Sequence, residues 1–371
     1  MSDRLHFDIV IVGGGLTGTA MALALKHSPY RVALVEPWPP QVPAEDWDAR
    51  VYAYSPGNVN WLKDLGGWAE PVRAQAIHAM RIFGDEGGRL EFDALETGLP
   101  ELAWIAENGR LQYALWQAAG RAGNIDFIAA QPEAVAWGEG RHALILADGR
   151  RLECDLLVGA DGASSWLRDQ AGVVANFETE RPHRGIAWQW FREDSVLAYL
   201  PLPGRRISIV WSTHEDAVPD RLARSADEFA ADVAEAGYHM LGDLRLITPQ
   251  AAFPLKIRRA DEWVRPGLVL IGDAAHTVHP LAGQGVNLGF RDCRLLAEML
   301  ASGGNPGAIG RLQAYAVRRM EDVASMQFTT GGLKKLFNNA DPAVRGLRNA
   351  GLGLTNGQDW LKQALMRHAV Q

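Results

Sequence analysis

Residues 8–36 read Asp-Ile-Val-Ile-Val-Gly-Gly-Gly-Leu-Thr-Gly-Thr-Ala-Met-Ala-Leu-Ala-Leu-Lys-His-Ser-Pro-Tyr-Arg-Val-Ala-Leu-Val-Glu. The β-branched run Asp8 to Val12 predicts a buried strand, Leu16 to His27 has helical spacing, and Arg31 to Glu36 is a second apolar strand. Between the first strand and the helix, Gly13, Gly15 and Gly18 form G-x-G-x-x-G. Gly13 permits the tight turn, Gly15 lets a pyrophosphate approach the backbone, and Gly18 lets helix and strand pack closely. The helix start presents unpaired N–H groups and positive dipole to phosphates. Glu36 ends the second strand, where a carboxylate accepts both ribose hydroxyls and disfavours a 2′-phosphate. The expectation is a dinucleotide, FAD or NAD rather than NADP.

The same stretch excludes a membrane reading. Ile9 to Leu25 is apolar, but four glycines interrupt it, and Asp8 and Lys26 bound it at about the shortest length that spans a bilayer. Met1 to Phe7 has no signal-peptide pattern. The 371-residue chain has ordinary soluble composition, with 47% hydrophobic and 22% charged residues, so disorder is not expected. A net charge of −7 argues against nucleic acid as a partner. Cys154 and Cys293 are too few for an iron–sulfur cluster or a disulfide framework. The expected compartment is a reducing cytoplasm, with redox chemistry from an organic cofactor.

Further along, Gly57 to Leu65 and Asn108 to Arg121 predict helices, and Ala79 to Phe83 with Arg89 to Phe92 predict a hairpin around Gly84 to Gly88. Between Pro182 and Lys256 the pattern changes to alternating strands rich in Trp, Val and Ile, a mainly antiparallel second domain. Leu268 to Ile271 returns to the buried-strand style, followed by Gly272-Asp273 and a helix from Gln284 to Leu300. The fold class expected is α/β in two domains, α+β overall: a Rossmann-like nucleotide domain, a mainly antiparallel substrate domain and a helical C-terminal segment. The nucleotide domain is expected over 1–70, 99–181 and 259–310, the substrate domain over 71–98 and 182–258, and the C-terminal segment over 311–371.

The run from Gly267 to Gly289 chooses between the dinucleotides. It reads strand, acidic turn, Gly-rich loop, helix, and places Asp273 at a strand end, where it bonds a sugar hydroxyl of a chain-like ligand. Gly283, Gly285, Val286 and Asn287 open a helix whose N–H groups stabilise negative charge on a reduced ring. Two anion-friendly helix starts on one cofactor fit FAD.

Together, Gly13 to Gly18 with Glu36, Gly159-Ala-Asp-Gly-Ala-Ser-Ser165, and Gly272-Asp-Ala-Ala-His276 to Asn287 resemble the three motifs of the para-hydroxybenzoate hydroxylase superfamily, the single-component FAD aromatic hydroxylases. Within it the chain is similar to the ubiquinone-biosynthesis hydroxylases, through Asp48-Ala-Arg-Val-Tyr-Ala-Tyr-Ser55, Trp104-Ile-Ala-Glu-Asn108, Leu200-Pro-Leu202, Ser208-Ile-Val-Trp-Ser212 and Arg348-Asn-Ala-Gly-Leu352. Tyr54, where Leu is usual, departs from the pattern and bears on the cleft lining. The resemblance implies tightly bound FAD, NAD(P)H as transient reductant and O₂ as co-substrate. By the same resemblance Arg50 and Gln112 reach the pyrophosphate or ribityl, and Leu16 and Thr17 meet the pyrophosphate through backbone N–H. Val135 meets the adenine, Asp273 the ribityl chain, and Asp161-Gly162 the FAD and the passing nicotinamide. Pro280, Gly283, Gly285, Val286 and Asn287 border the flavin ring.

The implied activity is hydroxylation of a polyprenylated phenol in ubiquinone biosynthesis. A hydroxylase of a small soluble aromatic and a non-catalytic flavin-binding component of a complex stay open as alternatives. Trp188, Trp190, Tyr199 and Trp211 are candidates for the cleft wall. No general base is assigned; His276, Pro280 and Tyr199 are the catalytic candidates. His276 and His279 beside Asp273 lack a third His or Cys, so no metal is expected. From Arg311 to Gln371 nine Lys/Arg face four acids, so the tail is expected to contact a membrane surface or another protein of the pathway, at the inner face of the membrane.

Overall fold

The structure, a computed structural model, describes residues 4–68, 73–85, 87–138, 140–162, 170–192, 195–254, 258–260, 262–277 and 285–337, and in the C-terminal tail 346, 349, 351–352, 354–358, 362–363 and 366. In chain order the elements are β1 (Arg4–Val12), α1 (Leu16–Ala24), β2 (Val32–Val35), β3 (Val51–Tyr54), α2 (Pro56–Asp64), β4 (Ala74–Ile77), β5 (Ala79–Phe83), β6 (Arg89–Asp93), β7 (Ala103–Glu107), α3 (Asn108–Ala119), β8 (Ile125–Ile128), β9 (Pro132–Ala136), β10 (His142–Leu146) and β11 (Arg151–Gly159). There follow β12 (Gln170–Thr179), β13 (Ile186–Phe191), β14 (Val196–Leu202), β15 (Arg206–His214), α4 (Val218–Ala223), α5 (Ala226–Ala236), β16 (Leu244–Leu246), β17 (Ala251–Pro254), β18 (Arg258–Arg259), β19 (Val264–Arg265), β20 (Leu268–Leu270), β21 (His276–Thr277), α6 (Gly285–Leu300) and α7 (Ile309–Phe337).

The opening β-α-β unit forms as its sequence dictates. β1 lies parallel to β2 and to β11, β2 to β8, and β11 to β20, giving a Rossmann-like parallel core with antiparallel strands at its margins. Where β1 is covered on both faces, from Ile9 to Val12, it is apolar at every position. Ile9 and Ile11 pack with α1, α3 and α6, and Phe7 and Val10 pack on the other side with Val35, Leu144 and Cys154. α1 is buried along Gly18 to Leu23 between the sheet and α6, which explains why a helix with no charged residue is stable there.

The second large sheet is mainly antiparallel, in the order β16-β12-β15-β14-β13-β5-β6, with β17 also on β12. α5 packs on one of its faces through Phe229 and Val233. Its start is fixed by a capping box between Ser225 and Glu228. A small sheet, β3-β7-β4, lies between the two large ones.

The α/β class is as expected, but the chain changes sheets elsewhere than its composition suggests. β12 pairs with β15, β16 and β17, so residues 170–179 join the antiparallel sheet ahead of the expected boundary at 182. β4 pairs with β7, so the small sheet takes strands from both expected domains. α7 packs on α6, and no described helix is long and apolar enough to cross a membrane.

Candidate active site

The phosphate-binding end is built on Gly13, whose φ of +103° is left-handed and whose missing Cβ leaves room for the backbone of Ala160 and Asp161. Asp161 therefore lies against the glycine turn, and Gly162 follows it. Gly15 begins α1 with no side-chain cap, and none of the described residues lies within 4 Å of where its Cβ would be. The N–H groups of Leu16, Thr17 and Gly18 in the first turn have no intrahelical partner. Uncapped donors, the dipole and open space suit a pyrophosphate.

Glu36 lies beside this turn. Its Oε2 accepts from Gly14 N–H at 2.6 Å and its Oε1 from Trp38 N–H at 3.0 Å, so the carboxylate is held at the strand end. Gln112 of α3 donates from Nε2 to the Gly14 carbonyl at 2.8 Å, which brings its amide to the same turn. Val135 sits on β9, the edge strand next to β10, in the cluster that also takes Val12 and Ala130.

The flavin end lies between β20 and α6. Asp273 is open to solvent at the site, yet the protein mass around it pushes its carboxyl above the ordinary range against the pull of His276 and Arg50. A Cβ on Gly285 would lie 3.8 Å from Asp273 Oδ1, so the start of α6 and this carboxylate face one space. Arg50 closes it opposite, its guanidinium donating from Nε to Tyr52 Oη at 2.9 Å and lying 5.6 Å from the Phe253 ring centre. Val286 and Asn287 open α6 as expected, but the Asn287 side chain is spent on structure. Its Oδ1 accepts from Ser55 N–H and Asn58 Nδ2, and its Nδ2 donates to the Ala53 carbonyl. Pro280, Gly283, His279 and Ser164 lie outside the described residues.

His276 does not face the cleft. It is buried, and its Nε2 lies 2.7 Å from Asp292 Oδ2. Asp292 also accepts from Gly272 N–H at 2.8 Å and, through Oδ1, from Arg319 Nε at 2.6 Å. Burial raises the Asp292 carboxyl, but His276 and Arg319 together hold it below the usual range. The carboxylate is then acceptor-only, so His276 Nε2 carries the proton. The cluster extends to Asp322 and Arg291. Asp292 and Arg319 carried no signal in sequence; a charged pair 27 residues apart on two helices looks like two solvated faces. Glu107, inside the Trp104 to Asn108 motif, was likewise missed. Its buried carboxylate takes Asp48 N–H, Arg73 and Arg110, which fixes the loop carrying Arg50.

The aromatic wall expected under the cofactor is on the opposite face of its sheet. Trp188, Trp190, Tyr199 and Trp211 all point to α5, and Tyr199 Oη donates to the Val233 carbonyl at 2.6 Å. Tyr199 is thus a core residue. Strand side chains alternate, so the cleft face carries the residues between them. Ala187, Leu200 and Leu202 there pack on the small sheet. Next to them Val174, Val210, Ala198 and Gln189, opposed across four strands, form a half-buried row. Ser208 Oγ and Asn176 Oδ1, opposed on β15 and β12, are buried on this face with no partner among the described residues. Tyr54 does not line the cleft either: it is fully buried, stacked on Phe290 and edge-on to Trp68.

An uncapped glycine turn, a strand-end carboxylate, a second helix mouth beside Asp273 and an apolar floor fit an extended dinucleotide with a ring at one end. Residues 6–327 match the FAD binding domain family. The chain is 34% identical to 3-demethoxyubiquinol 3-hydroxylase of Escherichia coli, over 98% of both chains. It is 33% identical to ubiquinone hydroxylase UbiL of Rhodospirillum rubrum, over 98% of this chain and 89% of that one. Among solved structures, HpxO of Klebsiella pneumoniae complexed with FAD and uric acid superposes with a TM-score of 0.74 at 17% identity, over 99% of this chain and 97% of that one, and so shares the fold.

Proposed function

The chain belongs to the FAD binding domain family, and on that footing we propose that it is an FAD-dependent monooxygenase that hydroxylates the ring of a polyprenylated phenol in ubiquinone biosynthesis, using NAD(P)H and O₂. The observation that carries the reading is full-length similarity to two hydroxylases of ubiquinone intermediates, joined to a site with room and donors for FAD.

Bound FAD would supply the redox chemistry, with NAD(P)H as reductant and O₂ as the source of the one oxygen atom transferred to the ring, the other leaving as water. The protein binds, orients and excludes water. Glu36 would accept from the adenosine ribose, the first turn of α1 would hold the pyrophosphate, and Asp273 would accept from a ribityl hydroxyl. The first N–H groups of α6 stabilise negative charge on the reduced ring. The row Val174, Val210 and Ala198 offers an apolar floor that keeps water from the reacting carbon.

A polyprenyl chain resides in a bilayer, so the protein acts at a membrane surface without a described helix that crosses it. Mass spectrometry of quinone-pathway lipids from cells with and without the protein tests the reading. Accumulation of a prenylated phenol lacking one hydroxyl is the expected result; an unchanged profile counts against it.

A further inference from the structure

We propose that Leu352 of the C-terminal tail, held in place by Asn349 and Asn356, closes the far end of the substrate cleft and grips the apolar chain of the substrate, so that it sets the preference for a long-tailed phenol. The proposal rests on the reading above for what occupies the cleft.

The tail is fastened to the hairpin β5–β6, the edge of the antiparallel sheet. Asn349 Oδ1 accepts from Gly88 N–H at 3.0 Å, and its Nδ2 donates to Asp85 Oδ1 at 3.0 Å. Asn356 Oδ1 accepts from Glu91 N–H at 2.9 Å, an edge-strand donor. Lys362 pairs with Glu96 at 2.9 Å. The hairpin is shaped for this: a Cβ on Gly84 or Gly88 would collide with Asn349.

Between these attachments Leu352 packs with Ile82, Phe191 and Val196. Those three lie on the cleft face: Phe191 is opposite Val196, and Ile82 is opposite Gln189, itself opposite Ala198. The half-buried row from Val174 through Val210 and Ala198 therefore runs on towards Leu352. At about 4.8 Å per strand, the path from β12 to β5 is about 19 Å, long enough for several isoprene units. Its near end lies by Phe253 and Arg50, at the flavin end of the site. A ring held there points its chain along the row to the tail.

Equilibrium binding to the FAD-loaded protein tests this without turnover. A farnesyl-substituted phenol and the unsubstituted phenol are titrated against the flavin visible spectrum in wild type, Leu352→Ala and Asn349→Ala. The expected result is tighter binding of the farnesyl phenol by wild type and an approximately tenfold loss for that ligand in both variants, with phenol binding and FAD content unchanged. Equal losses for both ligands, no loss in either variant, or no preference for the farnesyl phenol in wild type would overturn it. Should Leu352→Ala unfold, Leu352→Met retains the packing and is expected to keep the preference, while Leu352→Gln is expected to lose it; equal preference in the two sinks the proposal. Tight binding of the chain without NAD(P)H-dependent turnover would sink the hydroxylase reading and leave the grip of Leu352 standing.

Discussion

Asp292 shows how much one buried carboxylate can organise. It accepts from Gly272, His276 and Arg319 at once, tying the turn that carries Asp273 to both long helices. Asp292→Asn keeps the shape but removes the charge that compensates Arg319, and loss of one partner of a buried pair costs about 3–5 kcal/mol. Chemical denaturation is expected to show a loss of that size. The acid limb is expected to change too. Because the Asp292 carboxyl is held below its ordinary 3.8 in the fold, its stabilisation is complete above that value and is lost as pH falls through the folded value. The wild-type midpoint should therefore drop steeply below about pH 4 and the variant's less so; parallel curves would refute this. The positions of Gly13, Gly15 and Glu36, at a tight turn, a helix start and a strand end, were legible in sequence because a β-α-β unit fixes their spacing. Asp292, Arg319 and Glu107 were not, since their partners come from distant segments and nothing local distinguishes them from surface charges.

Among elements, the two helix mouths matter most. α1 starts without a cap in front of open space, and α6 starts beside Asp273. Gly15→Asp fills that space with a negative charge at the helix start. This favours the helix by about 0.3–1 kcal/mol while opposing a pyrophosphate. The expected outcome is a folded protein, by circular dichroism, that retains less than a tenth of the wild-type FAD content; full FAD content would refute the phosphate role of α1. The strands teach the converse lesson. Alternation in Gly185 to Trp211 correctly gave a period of two, but a period does not say which face meets the cofactor. The large aromatics went to α5, where a helix and a sheet need volume between them, and the small aliphatics were left for the cleft.

For the whole molecule, charge distribution complements the architecture. The tail from 311 onwards carries nine basic and four acidic residues in a chain of net charge −7, so the remainder is strongly acidic. If the protein draws substrate from an anionic bilayer, as proposed above, positive charge at this end favours the approach; Arg319, buried against Asp292 and Asp322, takes no part in it. Flotation with vesicles containing anionic lipid is expected to carry the FAD-loaded protein upward, and added salt to release it; equal flotation with neutral vesicles would refute the electrostatic part. The overall α/β class followed from the first 36 residues, because one β-α-β unit with its glycines admits few continuations. The small sheet between the large ones did not, since β3, β4 and β7 are short and pair across segments that look unrelated in sequence. Both cysteines sit in the packed interior, Cys154 with its thiol pushed up to about 12 and Cys293 higher than its ordinary value. An oxygen-using flavoprotein sheds some peroxide whenever reduction runs ahead of hydroxylation, and peroxide attacks thiolates. With no reachable sulfhydryl, this chain is guarded against poisoning by its own by-product, and a thiol reagent that reacts with it reports that the fold has opened.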